Sequence, residues 1–138
     1  MKYDKWVKFH MDLARRVAEL SYCNRDQVGT IIAKQNHILS YGFNGTPPGY
    51  PNVCESADGE TLPEVIHAEM NAIAKVAAGH ESCVGATMFV TRAPCVECAK
   101  MIAASGITAL YHLPKGSGSG LYLLKELGIG TVGMVEPE

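Results

Sequence analysis

Four residues in this chain have the types and spacing to do chemistry together: His67 and Glu69 in Val65-Ile66-His67-Ala68-Glu69, and Cys95 and Cys98 in Pro94-Cys95-Val96-Glu97-Cys98. One imidazole and two thiolates are donors that a borderline-soft divalent ion such as zinc prefers, and they fill three of its four tetrahedral positions. Closed four-ligand sets usually hold a fold together. Three protein ligands usually leave a position for water and for catalysis. An ion held this way brings the pKa of a bound water toward ~7, and Glu69 is the natural carrier of the proton that the water gives up.

Spacing alone does not deliver Glu69 to that ion. In a regular helix, positions i and i+2 point to nearly opposite sides, so His67 and Glu69 can serve one site only from the first turn of a helix that faces a cleft. The second segment is simpler. Pro94 presets a helix start, which places Cys95 and Cys98 on one face of its first turn, where the helix dipole favours thiolates. Two other readings of the cysteine pair stay open: a structural zinc knuckle completed by Cys23, Cys54 or Cys83, and a thioredoxin-like redox pair. The redox pair leaves His67 and Glu69 without a task.

The elements that must position these residues follow from periodicity. Residues 3–21 carry Trp6, Phe9, Leu13, Val17 and Leu20 at helical spacing, a packing helix with His10, Arg15 and Arg16 expected on its solvated face. Residues 28–34 and 38–43, separated by Gln35-Asn36-His37, predict a β-hairpin. Residues 44–63 hold four prolines and no sustained period, which makes a long loop. A helix opening at Pro63 or Glu64 and stopped by Gly79 carries His67; a strand over 86–91 leads to Pro94. A helix over 95–105, a strand over 107–112, a helix over 121–127 and a strand over 129–135 complete the chain. Pro114-Lys115-Gly116-Ser117-Gly118-Ser119-Gly120 reads as a plain flexible connection; a Gly-rich loop before a helix can also cradle phosphate, but Gly-x-Gly-x-Gly alone does not establish that. Strand and helix alternating in the C-terminal half require parallel pairing through right-handed crossovers.

Composition narrows the function classes. With 138 residues, 47% of them hydrophobic and 19% charged, the expectation is one globular domain over residues 1–138 with a substantial core. Lys and Arg number 12 against 14 Asp and Glu, and a net charge of −2 argues against a protein that works by gripping nucleic-acid backbones. A small anionic substrate in a local pocket remains compatible. The N-terminus shows no secretory pattern and no apolar run of ~18 residues occurs, so a cytoplasmic location without membrane contact is expected. In a reducing compartment five cysteines point to metal or redox roles over a disulfide framework.

The paired segments resemble the zinc-dependent nucleotide and nucleobase deaminases, whose signature is H-x-E followed by P-C-x-x-C. Cys23-Asn24-Arg25-Asp26-Gln27-Val28-Gly29, Gly42-Phe43-Asn44-Gly45-Thr46-Pro47-Pro48-Gly49 and the stretch 91–100 are similar to blocks of the deoxycytidylate (dCMP) deaminases in particular. That resemblance implies a three-layer α/β/α cytidine-deaminase-like fold around a five-stranded mixed sheet. It implies hydrolysis of dCMP to dUMP and ammonia. His67, Cys95 and Cys98 would hold one catalytic Zn²⁺, and Glu69 would move the proton. Asn44 and Ala68 would contact the substrate; Arg25 is a candidate phosphate contact on chemical grounds, since a guanidinium suits phosphate oxygens, with a surface ion pair as the other reading. Activation by dCTP and inhibition by dTTP with Mg²⁺ are implied near Gly42, Phe43, Asn44 and Gly45, together with assembly into a hexamer. Deaminases of transfer-RNA adenosine, free nucleosides or free bases share the metal motifs, and a non-catalytic nucleotide-binding protein of the same fold is a further alternative. Glu69 speaks against the last, since a binding module has no use for a proton carrier. Three departures stand out: Phe43 replaces a tyrosine common in the family, Arg92-Ala93 precedes Pro94 where a bulkier apolar residue is common, and residues 45–66 contain no histidine, so the second, structural zinc of some phage relatives is not expected.

Overall fold

The structure is a computed structural model that describes residues 3–135; the first two and last three positions of the expected 1–138 domain lie outside the described residues. In chain order it contains α1 (Lys5–Ala18), β1 (Gly29–Lys34), β2 (His37–Phe43), α2 (Ala68–Ala77), β3 (Thr87–Val90), α3 (Val96–Ala104), β4 (Ala109–His112), α4 (Leu121–Glu126) and β5 (Gly130–Gly133). The strands form one five-stranded sheet in the order β2-β1-β3-β4-β5. β1 runs antiparallel to both neighbours, and β3, β4 and β5 run parallel, with α3 and α4 as the crossovers. This is the expected mixed sheet. The β1–β2 hairpin turns through Gln35 and Asn36, with φ of 50° and 66°, the doubly left-handed turn whose twist suits paired strands.

Alternation along β1 builds two cores. Ile32, with Met88, Val90 and Leu110, packs on Ala68, Ala72 and Val76 of α2, Ala99 and Ile102 of α3 and Leu124 of α4. Ile31, Ala33 and Phe89 face the other way onto Met11 and Ala14 of α1. The result is three layers, with α1 alone on one side and α2, α3 and α4 on the other. Close approach of helix to strand depends on two glycines: a Cβ on Gly29 would lie 2.0 Å from the Ala14 carbonyl oxygen, and one on Gly42 would lie 2.4 Å from that of Ala68.

Several sequence expectations are corrected. α1 is shorter than 3–21, because the Asp4 carboxylate caps it by accepting from the Trp6 N–H at 2.6 Å. Its buried stripe is His10, Met11 and Ala14, while Trp6 and Phe9 are exposed. The large aromatics suggested the wrong face, and His10, expected in solvent, is 2% exposed with its ring centroid 4.9 Å from that of Phe89. α2 begins at Ala68, five or four residues later than Pro63 or Glu64. Cys23 and Cys54 form a disulfide, where the sequence favoured metal or redox roles for its cysteines over a disulfide framework. The loop after β2 folds back over the α1–β1 connection and brings the two sulfurs together. Among the described residues no helix is long and apolar enough to cross a membrane.

Candidate metal centre and its cleft

His67 occupies the N-cap of α2 with extended backbone angles, φ −66° and ψ 152°. Its side chain therefore leaves the backbone in a direction that a helical residue does not have, while Glu69 sits in the first helical turn. That combination lets residues two apart meet at one point. Cys95 is likewise the N-cap of α3, at φ −78° and ψ 172°, with Cys98 in the first turn. Pro94 stands one position before the cap instead of inside the turn as expected. Neither cap side chain bonds its own helix, leaving both free to turn toward the other segment.

His67 Nδ1 lies 3.2 Å from Cys98 Sγ and 3.6 Å from Cys95 Sγ, and the three donor atoms lie within 4.8 Å of one another. Tetrahedral zinc with bonds of about 2.0 Å to nitrogen and 2.3 Å to sulfur places such donors roughly 3.5 Å apart, so the residues fit the ion. Cys98 is buried, Cys95 half-buried and His67 open to solvent, so the cluster faces a cleft. Burial pushes the Cys98 thiol far above its ordinary range, with Glu69 and Cys95 adding to the effect. A bound cation is what makes a thiolate stable there. Glu69 is 3% exposed. Burial raises its carboxyl pKa, opposed in smaller part by its own backbone N–H and by the charges of His67 and Arg92.

The structural-knuckle reading loses its fourth ligand. Cys23 and Cys54 are bonded to each other, and Cys83 lies in the core beside Ala86 and Val76. Cys23 and Cys54 also cluster with the Glu55 carboxylate, but disulfide sulfurs are not thiolate donors.

The cleft encloses about 560 Å³, within the range of small-molecule sites. Of the expected substrate contacts, Arg25, Asn44 and Ala68 all line it. Arg25 is at the rim, its guanidinium 3.8 Å from Glu60. Asn44 is committed to the backbone: its Oδ1 accepts from the Val28 N–H at 2.9 Å, and its Nδ2 donates to the Asp26 carbonyl at 2.8 Å. Gly42, Phe43 and Gly45 stand behind the wall. Gly42 presses on α2, the Phe43 carbonyl accepts from Asn71 at 2.7 Å, and Gly45 pairs with Ile66. Four charged lining residues were not singled out as site residues in the sequence reading: Asp26, Glu55, Arg92 and Lys115. Arg92 had drawn notice only as a departure and Lys115 only as part of a loop, and no spacing rule connects positions so far apart.

The same chain resembles known proteins over nearly its whole length. The profile of the cytidine and deoxycytidylate deaminase zinc-binding region matches residues 4–113. Deoxycytidylate deaminase of Mycobacterium phage D29 is 33% identical over 131 residues, 85% of this chain and 100% of that protein. The deoxycytidylate deaminase of Mus musculus is 32% identical over 142 residues, 92% of this chain and 78% of that protein. Among solved structures, the dCMP deaminase of cyanophage S-TIM5 in complex with dCMP and dUMP matches with a TM-score of 0.92 at 38% identity, covering 97% of this chain and 100% of that one. A transfer-RNA wobble-position deaminase, at 20% identity and a TM-score of 0.60, shares the fold alone.

Proposed function

The chain belongs to the cytidine and deoxycytidylate deaminase zinc-binding family, and from that premise we propose that it hydrolyses dCMP to dUMP and ammonia. The observation that carries this reading is the meeting of His67, Cys95 and Cys98 beside a buried carboxylate at the head of a nucleotide-sized cleft. The cyanophage S-TIM5 relative, named as a dCMP deaminase and holding dCMP and dUMP, supports the choice of substrate.

Zinc, when bound, supplies the Lewis acidity that makes water nucleophilic near neutral pH. The chain's own groups do the rest. His67 Nδ1 and the sulfurs of Cys95 and Cys98 hold the ion from two helix N-termini, and the buried Ala68 forms the wall against which the base lies. Glu69 takes one proton from the attacking water and delivers it to N3 of the pyrimidine, then takes the second proton from the oxygen now bonded to C4 and gives it to the amine, which leaves as ammonia as the C4–N bond breaks and C4 keeps the oxygen as a carbonyl. A carboxyl whose pKa is raised by burial is suited to holding a proton between those two transfers. Asn44 has one Nδ2–H left for the sugar, and Arg25 is available at the rim for the phosphate.

The reading extends to control and context: dCTP as activator, dTTP with Mg²⁺ as inhibitor, a homohexamer, a cytoplasmic location and a role in pyrimidine nucleotide supply. What favours an effector site at Gly42, Phe43, Asn44 and Gly45 is position, because this segment touches the first turn of α2 on one side and carries Asn44 into the cleft on the other. Ammonia release from dCMP, CMP, deoxycytidine, guanine and transfer RNA, each assayed with the zinc-loaded protein, tests the substrate. Preference for dCMP is expected. Faster release from guanine or transfer RNA overturns the assignment.

A further inference from the structure

Asp26, Arg92 and Lys115 come from three separate connections: the one before β1, the one between β3 and α3, and the one after β4. Arg92 Nη1 donates to Asp26 Oδ2 at 2.6 Å, and Lys115 Nζ lies 3.1 Å from Asp26 Oδ1. One carboxylate thus holds two cations, each on its own oxygen, so the trio carries more positive than negative charge. The framework around them is ordered. The Ala93 N–H donates to the Lys115 carbonyl at 2.8 Å, Gly116 lies against the Arg92 guanidinium, and the Asp26 carbonyl is held by Asn44. Asp26 and Arg92 are about three-quarters and two-thirds covered, with side-chain exposures of 27% and 34%. All three line the cleft that contains His67 and Glu69.

A fold-stapling ion pair needs only one cation per carboxylate. Two of them, bound side by side and turned toward the same cavity, match a ligand carrying a compact charge of about −2, and a guanidinium next to an ammonium offers several N–H donors to phosphate oxygens. Arg25 is a weaker candidate for that role, since its guanidinium is 56% exposed and pairs loosely with Glu60 at 3.8 Å. We propose that Arg92 and Lys115 form the cradle for the substrate's 5′-phosphate, with Asp26 as the positioning residue that keeps the two cations together before the nucleotide arrives. This rests on the nucleotide-deaminase reading and adds the groups that distinguish a nucleoside monophosphate from a free nucleoside.

The test compares wild type with Arg92→Gln, Arg92→Lys and Lys115→Gln as zinc-loaded proteins. Each is assayed for kcat and KM on dCMP and on deoxycytidine, and for binding of dUMP and deoxyuridine by calorimetry. Loss of one charged contact should raise the KM for dCMP about 10–100-fold, cut the preference for dCMP over deoxycytidine by a similar factor, and weaken dUMP while sparing deoxyuridine. Arg92→Lys should fall between wild type and Arg92→Gln. Lys115→Gln alters a side chain that is 62% exposed, so it answers the question even where an Arg92 variant fails to fold. Equal losses on dCMP and deoxycytidine, or dUMP binding unchanged in Lys115→Gln, overturn the cradle while leaving the dCMP assignment in place. If wild type does not deaminate dCMP, the functional reading fails, and the dUMP titrations still decide the cradle.

Discussion

The N-cap is an economical place for a metal ligand. Its backbone is already extended while the next residue is helical, so His67 and Glu69 converge although a continuous helix would separate them. The same geometry at Cys95 sets two thiols against one imidazole. Glu69→Gln preserves shape and hydrogen bonding but cannot move a proton; it should retain one zinc per chain and lose about 10²–10⁴ in turnover. Metal content by atomic absorption, read beside initial rates, checks this, and near-normal turnover would refute the role given to Glu69. Cys95→Ala removes a ligand and should lose zinc and activity together. Full zinc stoichiometry in that variant would mean that another donor completes the site.

At the scale of elements, the long connection between β2 and α2 is tied down at several points. The Cys23–Cys54 disulfide joins it to the segment before β1, the Glu55 carboxylate accepts from the N–H groups of Asn24 and Arg25 at 3.0 Å each, and Gly45 and Ile66 exchange backbone bonds of 3.1 and 2.8 Å. Cys23, Glu55 and Asn44 all line the cleft, so these ties fix one of its walls. Closing a loop of 31 residues limits the unfolded chain, and Cys54→Ser should cost about 2–4 kcal/mol in denaturant melts. KM for dCMP should rise as the wall loosens. Wild type treated with reductant should show the same loss of stability, and unchanged melts would show that the bond contributes nothing in solution. In any reducing compartment this bond would compete with thiol exchange, which gives free-thiol titration of freshly isolated protein a direct use.

At the scale of the whole molecule, α1 alone covers its side of the sheet, and His10 sits in that interface. Burial lowers its pKa below 6.5, opposed in part by a bond to the Trp6 backbone. Asp4 and Tyr111 are the titratable side chains lining the same hollow. The ring stays neutral in the fold while the unfolded chain takes up a proton below about 6.5. This contribution to stability is complete above that pH and is lost as the pH falls toward the lowered folded value. Thermal melts from pH 7.5 to 5.5 should show a falling Tm in wild type and a flatter profile in His10→Leu. Parallel profiles would assign the acid sensitivity elsewhere.

Residue types and local spacing were enough to single out His67, Glu69, Cys95 and Cys98, the hairpin and the strand–helix alternation of the C-terminal half, because each of these signals is carried by residues a few positions apart in the sequence. Other features depended on pieces meeting across the fold. The stripe of α1 that is buried, the sulfur partners of Cys23 and Cys54, and the gathering of Asp26, Arg92 and Lys115 have no local periodicity to announce them. Only the folded sheet, by setting three loop ends beside one another, determined which charges share the cleft with His67, Glu69 and Cys95.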